Sequence, residues 1–293
     1  MTIHAARQTM QTLNASMEAL AALGAALNLA AGQQKADAAI SNRIHNVVAT
    51  LDGGLLDGIS EDDADILFSL IRSFFRQALD LIENPGRGAE WSFDDPVILQ
   101  AQGKGSRGLV ELIAEHVSGS PALAERFKQP GKFLDTGSGT GWISMEVAAR
   151  WPALHVDGLD VFKPALALAA ENLAAWDVAD RVAFYDTDFV KLDAVETYCA
   201  AFLAGPFIPR TVIELGLPSL HRALEPGGWV FLAIYRAAPD ELSQALLDLR
   251  VARSGGYDWT PASAGKLLAD NGFQNTVEIE FPTPAMLIAG QKT

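Results

Sequence analysis

The chain has 293 residues, enough for one large domain or two smaller ones, and is 49% apolar and 20% charged, as soluble globular proteins are. Its 22 Lys and Arg against 36 Asp and Glu give a net charge of −14, which offers no basic stripe for DNA or RNA. A single cysteine, Cys199, excludes an internal disulfide and a thiolate zinc cluster, and His4, His45, His116, His155 and His221 show no paired metal-ligand spacing.

Residues 1–90 read as wholly helical. The stretch MEALAALGAALNLAAG (17–32) has the composition of a signal-peptide core, but only Arg7 precedes it as a positive charge. It is also short and Ala-rich for a membrane span and contains Asn28. Met10, Leu13, Met17, Leu20, Gly24 and Leu27 recur at alternating threes and fours, the spacing of a helix seam. The expectation is a packing helix in a cytoplasmic protein without membrane contact, with export as the alternative. The seam leaves a homodimer through the N-terminal helices open.

The clearest helix lies within 60–86. Ser60 can cap it, the acids at 61–63 favour the positive end of its dipole, and Asn84-Pro85-Gly86 stops it. Leu67, Leu70, Ile71, Phe74, Ala78, Leu81 and Ile82 form one broad apolar face. No polar constellation marks a site, so the region reads as a helical cap or dimerisation arm.

Residues 91–108, WSFDDPVILQAQGKGSRG, crowd aromatics, acids, a proline and glycines into a joint. It is either an ordinary linker or a segment that folds over a ligand. With a helix expected over about 106–117, the connecting segment runs 91–125 and is expected to cover the active site. From 126 to 293 strand and helix patterns alternate. Strands are expected at 131–137, 154–161, 180–188, 197–205 and 228–235, with helices after the first (to Arg150), the second (164–176) and the fourth (210–224), and Pro226-Gly227-Gly228 as the turn into the fifth. Helices near 240–251 and 260–271 precede two last strands, 275–281 and 285–292. The fold class is α/β: a Rossmann-like, doubly wound, mostly parallel seven-stranded sheet with a possible antiparallel pair at the end, behind an all-helical N-terminal region.

In such a sheet ligands bind beyond the carboxyl ends of the strands, so the first strand-to-helix turn, DTGSGTG (135–141), is the place to look. Gly137, Gly139 and Gly141 let backbone approach a ligand closely and accept positive φ. Amides at the following helix start favour an anionic group. A dinucleotide fingerprint needs Gly or Ala three places after its second glycine, and Trp142 stands there instead. Asp160 ends the second strand, nineteen residues after Gly141, where a carboxylate can accept both hydroxyls of a ribose. Asp188-Phe189 ends the third strand, placed for the edge and face of a purine.

Together these features resemble the class I S-adenosylmethionine-dependent methyltransferases of small-molecule type, over roughly residues 105–293. The resemblance implies S-adenosylmethionine as cofactor. Its methionyl part would lie on Gly137, Ser138, Gly139, Gly141 and Trp142, with Asp135 toward the ammonium. Asp160 would bind the ribose, with the adjoining Val161 also on the cofactor, Asp188 the adenine amino group, and Phe189 the adenine face, the plain alternative for Phe189 being a core phenylalanine. The reacting methyl would point to the end of the fourth strand, at Leu203, Ala204 and Gly205.

In this family, glutamine and DNA-adenine enzymes carry Asn/Asp-Pro-Pro-aromatic at that strand end, and catechol-type enzymes carry an aspartate for a metal. This chain has Ala204-Gly205-Pro206-Phe207, which argues against those acceptors and against a metal. Trp91, Phe93 and Phe207 are candidate pocket walls, and Gln100, Gln102, Ser106, Arg107, Tyr235 and Arg236 candidate polar contacts. No general base stands out. His221, His155 and Glu214 all have plainer structural readings. The expected activity is in-line methyl transfer to an oxygen, nitrogen or sulfur atom of a small molecule, mainly by proximity in a closed pocket. The alternatives are an NAD(P)-dependent oxidoreductase and a non-catalytic cofactor-binding scaffold.

Overall fold

The structure is a computed structural model that describes residues 3–32, 34, 36–280 and 284–293. The chain divides into two compact units. One comprises residues 1–85 with 100–105, the other residues 86–99 with 106–293.

The first unit is helical, as expected. Helix α1 spans Ile3–Ala30, α2 Ala38–Leu51 and α3 Glu61–Glu83. Ser60 caps α3, its Oγ accepting the Asp63 N–H at 3.1 Å. A small core of Leu27, Ala64 and Ile71 joins α1 to α3. Gly24 permits the approach, since a Cβ there would lie 2.9 Å from Ile71 Cγ2. Two expectations change here. Leu67, Phe74 and Ile82 of the α3 face are exposed, as are Met10, Leu13 and Met17 of the α1 seam. Periodicity reports which residues share a face, not whether anything covers it. All but the last two residues of the apolar stretch 17–32 also lie in a 28-residue helix that is long and apolar enough to cross a membrane, by length and composition.

The joint is more ordered than its composition suggests. Asp95 Oδ1 accepts the Val97 N–H at 2.9 Å and opens α4 over Pro96–Ser106, with proline at its tolerated first position. Helix α5 follows over Gly108–Gly119 and the short α6, unanticipated, over Pro121–Arg126.

The second unit holds β1 Gly131–Thr136, α7 Trp142–Arg150, β2 Leu154–Asp160, α8 Lys163–Leu173 and β3 Val182–Asp186. It continues with β4 Tyr198–Leu203, α9 Arg210–Ala223, β5 Leu224–Tyr235, α10 Glu241–Arg253, α11 Pro261–Asp270, β6 Phe273–Ile279 and β7 Ala285–Lys292. The seven strands lie in the order β3-β2-β1-β4-β5-β7-β6. The first five are parallel, and β7 runs antiparallel to both neighbours. Strand β5 starts at Leu224, ahead of the Pro226-Gly227-Gly228 expected as its turn, because Leu224 already pairs with Tyr198. The expected 275–281 strand begins earlier, at Phe273, and Phe281 lies outside the described residues.

Strand β4 is buried along its whole length and packs with Phe133, Leu134, Phe231 and Leu232 into one core. The chain steps outward from β1 through β2 to β3, then returns to place β4 on the other side of β1. That reversal opens a crevice past the carboxyl ends of β1 and β4, where open α/β sheets bind ligands.

Candidate functional site

The loop after β1 is built on left-handed glycines, with φ of +72° at Gly137, +54° at Gly139 and +81° at Gly141. The Gly137 and Ser138 N–H groups donate to the Leu159 carbonyl at 2.9 and 3.0 Å, tying the loop to β2. Gly141 turns the chain into α7. A Cβ there would lie 2.3 Å from Phe184 Cζ, so no larger residue fits without displacing that ring. Around a Cβ on Gly139 there would be open space to 4 Å.

Two carboxylates flank this loop. Asp160 Oδ2 accepts the Gly139 N–H at 2.7 Å and Oδ1 accepts the Phe162 N–H at 2.8 Å. Burial pushes its pKa up against those hydrogen bonds. Asp135 is fully buried, and burial, helped by the nearby Asp160 charge, raises its pKa to about 7 against the Ser144 hydrogen bond. The Ser144 hydroxyl donates to Asp135 Oδ2 at 2.6 Å, while Oδ1 has no protein partner. Ser138 Oγ and Thr140 Oγ1 are also buried without partners. Three orphaned polar atoms along six residues, beside open space at Gly139, make a cradle that lacks its complement. An amino-acid ammonium and carboxylate fit that donor and acceptor set, as the tail of S-adenosylmethionine requires.

The other expected cofactor positions divide. Val161 is 63% exposed immediately after Asp160. Asp188 caps a single 3₁₀ turn, accepting the Val190 N–H at 3.0 Å. Phe189 belongs to the core, its ring so close to α9 that a Cβ on Gly216 would lie 2.1 Å from it. This is the packing reading rather than an open stacking face. Leu203, Ala204 and Gly205 are buried at the end of β4, and a Cβ on Gly205 would lie 2.4 Å from the Ala233 carbonyl oxygen.

Three expected wall residues meet there. Trp91 packs edge-on against Phe93 and Phe207, each with ring centroids 5.5 Å away. The guanidinium groups of Arg87 and Arg253 lie 4.7 and 5.3 Å from the Phe93 ring centre. Tyr235 ends β5, and burial pushes its phenol pKa up. Arg236 pairs with Glu280 at 3.2 Å. Arg107 pairs with Glu146 at 3.0 Å and lies against Trp142 and Trp176, so it braces the start of α7. Gln100 and Gln102 lie in the stretch of α4 that belongs to the helical unit.

Glu214 is paired with Arg210 at 2.6 Å, and His155 is exposed on β2. His221 is half-buried in the last turn of α9, its ring 5.0 Å from that of Phe273. Burial raises the Cys199 thiol to about 11, which leaves it un-ionised at neutral pH. Sequence reasoning missed Ser144, although a hydroxyl one turn into α7 was legible. It also missed Tyr257 and Trp259, signalled only by the Gly255-Gly256 pair before them.

Residues 133–228 match a family model described as a methyltransferase domain. That segment is a class I S-adenosylmethionine-dependent methyltransferase domain. It contains the cradle, both flanking acids and the β4 end.

Among curated proteins, the release factor glutamine methyltransferase of Cereibacter sphaeroides is 34% identical over 155 residues, 49% of this chain and 54% of that protein. The tetracenomycin polyketide synthesis 8-O-methyl transferase of Streptomyces glaucescens is 24% identical over 198 residues, covering 64% of this chain and 57% of that protein. The chain spans about half the length of the curated relatives it matches. An O-methyltransferase family protein from Burkholderia thailandensis superposes with a TM-score of 0.67 at 15% identity, over 99% of this chain and 98% of its own. Human N-acetylserotonin methyltransferase also gives 0.67 at 15%, over 98% and 97%. The last two share the fold of the methyltransferase domain and of the helical region before it.

Proposed function

We propose that the protein transfers a methyl group from S-adenosylmethionine to an oxygen, nitrogen or sulfur atom of a small aromatic molecule. The observation that carries this reading is the end of β4, where Ala204-Gly205-Pro206-Phe207 offers no polar side chain and Phe207 meets Trp91 and through it Phe93. Such a wall suits a flat apolar acceptor. It lacks the amide-orienting polar residue that a glutamine acceptor would need, although glutamine methyltransferases are among the curated relatives. Two solved structures with the same fold, one named an O-methyltransferase family protein and one an N-acetylserotonin methyltransferase, support a small acceptor.

When bound, S-adenosylmethionine supplies an electrophilic methyl on a cationic sulfur. The chain's own part is to hold and to align. The Gly137–Gly141 backbone and the Asp135 carboxylate would take the amino-acid tail, and Asp160 the ribose hydroxyls. Val161 would cover one adenine face, and Asp188 would accept from the adenine amino group. Leu203, Ala204 and Gly205 would line the approach to the reacting carbon. The aromatic wall would exclude water and bring the acceptor atom in line, which is the near-attack contribution of proximity. We also read the exposed Met10, Leu13 and Met17 as a surface through which two copies pair, and the protein as cytoplasmic.

Purified protein incubated with methyl-labelled S-adenosylmethionine and a metabolite extract is expected to yield a labelled small product. Tight cofactor binding with no transfer, or label found only on protein, would overturn the reading.

A further inference from the structure

The loop after α10 carries an indole that the cofactor cradle does not use. Gly255 and Gly256 seat this loop without clearance. A Cβ on Gly255 (φ +71°) would lie 2.9 Å from Glu90 Cα and 3.1 Å from Trp91 N, and one on Gly256 would lie 1.9 Å from the Pro206 carbonyl oxygen. The loop is thereby fixed to the Trp91 segment on one side and to the turn after β4 on the other. Tyr257 and Trp259 follow, their rings 4.7 Å apart. Arg210 closes the outer side, donating to the Tyr257 hydroxyl at 3.1 Å. Trp259 is 4% exposed, and its Cδ1, the carbon bonded to Nε1, would lie 3.5 Å from a Cβ on Gly205. Its Nε1–H is buried and has no acceptor.

We propose that Trp259 is a specificity-determining residue, whose indole N–H donates a hydrogen bond to a carbonyl-type oxygen on an aromatic methyl acceptor. This deepens the methyltransferase reading above and rests on it. A buried donor with neither protein acceptor nor solvent is costly to keep, and a phenylalanine would fill nearly the same space without that cost. The donor edge borders Gly205, at the strand end where the resemblance places the reacting methyl. The neighbouring Trp91, Phe93 and Phe207 rings supply flat apolar contact beside it. A donor set beside aromatic faces selects a ring bearing a carbonyl-type oxygen, because a ring without it would leave the indole unpaired.

The test uses the full chain saturated with S-adenosylhomocysteine and two probes of nearly equal size, 4-hydroxyacetophenone and 4-ethylphenol, which differ by one carbonyl oxygen. The wild type is expected to bind the ketone about tenfold more tightly, the margin of one good hydrogen bond. Trp259→Phe is expected to bind both probes alike while its S-adenosylhomocysteine affinity stays within about twofold of wild type. In ¹⁵N-labelled wild type, one of the six tryptophan indole signals should move downfield with the ketone alone. That signal should be missing from the Trp259→Phe spectrum. If that variant does not fold, the signal must still move in wild type and persist in Trp91→Phe. Equal binding of the probes by wild type, binding of neither, a preference that survives in Trp259→Phe, or no moving indole signal would each overturn the proposal. Failure of the wild type to bind S-adenosylhomocysteine would overturn the methyltransferase reading instead.

Discussion

The Ser144 hydroxyl donates to Asp135 Oδ2 at 2.6 Å, inside a strand end that solvent does not reach, while the other carboxylate oxygen meets no protein donor. One hydrogen bond offsets only part of the cost of burying a charge, so this acid stays protonated up to about pH 7. An arriving ammonium favours the ionised form. Affinity for S-adenosylhomocysteine is therefore expected to weaken as pH falls below 7, approaching tenfold per unit. Asp135→Asn should bind more weakly and lose the pH slope. Calorimetry between pH 5.5 and 8 checks both.

The same acid sets a stability slope. Its folded pKa lies above the unfolded value of 3.8, so the folded state holds the proton more tightly. That stabilisation is present below the unfolded pKa, declines as pH rises from about 4, and is gone above about 7, by a few kcal/mol in all. Asp135→Asn is expected to flatten this part of the curve of denaturation midpoint against pH.

His116 acts in the opposite sense. Its ring packs 4.5 Å from that of Trp229, its Nε2 is buried without a partner, and burial lowers its pKa below 6.5. The neutral form contributes stability above pH 6.5 that is lost as pH falls through the lowered folded pKa. His116→Phe should keep the packing, remove an orphaned donor or acceptor worth about 1 kcal/mol, and resist mild acid better than wild type. Urea midpoints at pH 5.5 and 7.5 measure the difference.

Asp160 organises the loop as well as facing the ligand, through the Gly139 and Phe162 amides. Asp160→Ala should weaken S-adenosylhomocysteine binding by about tenfold to a hundredfold, the range for hydrogen bonds to a charged group. Calorimetry at pH 7.5 tests this, and unchanged affinity would remove Asp160 from the site.

Gly205 has no room for a side chain between β4 and the Ala233 carbonyl. Gly205→Ala should cost about 2–3 kcal/mol through overpacking and backbone displacement. Gly139→Ala has open space but a positive φ, so it should cost about 1 kcal/mol of folding stability. Urea unfolding of the pair ranks them, and equal stability would show that the β4 end yields.

Local pattern carried far in this chain. The strands over 131–136 and 285–292, the Ser60 cap of α3 and the three glycines before α7 were all legible because each depends on neighbours within a few residues. The same holds for Asp160 at a strand end. Segment 91–108 misled because capping by Asp95 and Pro96 outweighs two glycines, a balance that composition does not express.

What the sequence alone determined was a doubly wound α/β domain with an acid–glycine loop and a second acid at matching distance, since periodicity and turn chemistry are properties of short stretches. Only the tertiary structure decided that Asp135 is sealed with Ser144, that Phe189 turns into α9, that Arg107 braces Trp142, and that Trp259 lies beside Gly205. Each of those depends on which distant segments pack together, and burial, the energy that fixes a proton or orphans an N–H, exists only once they have.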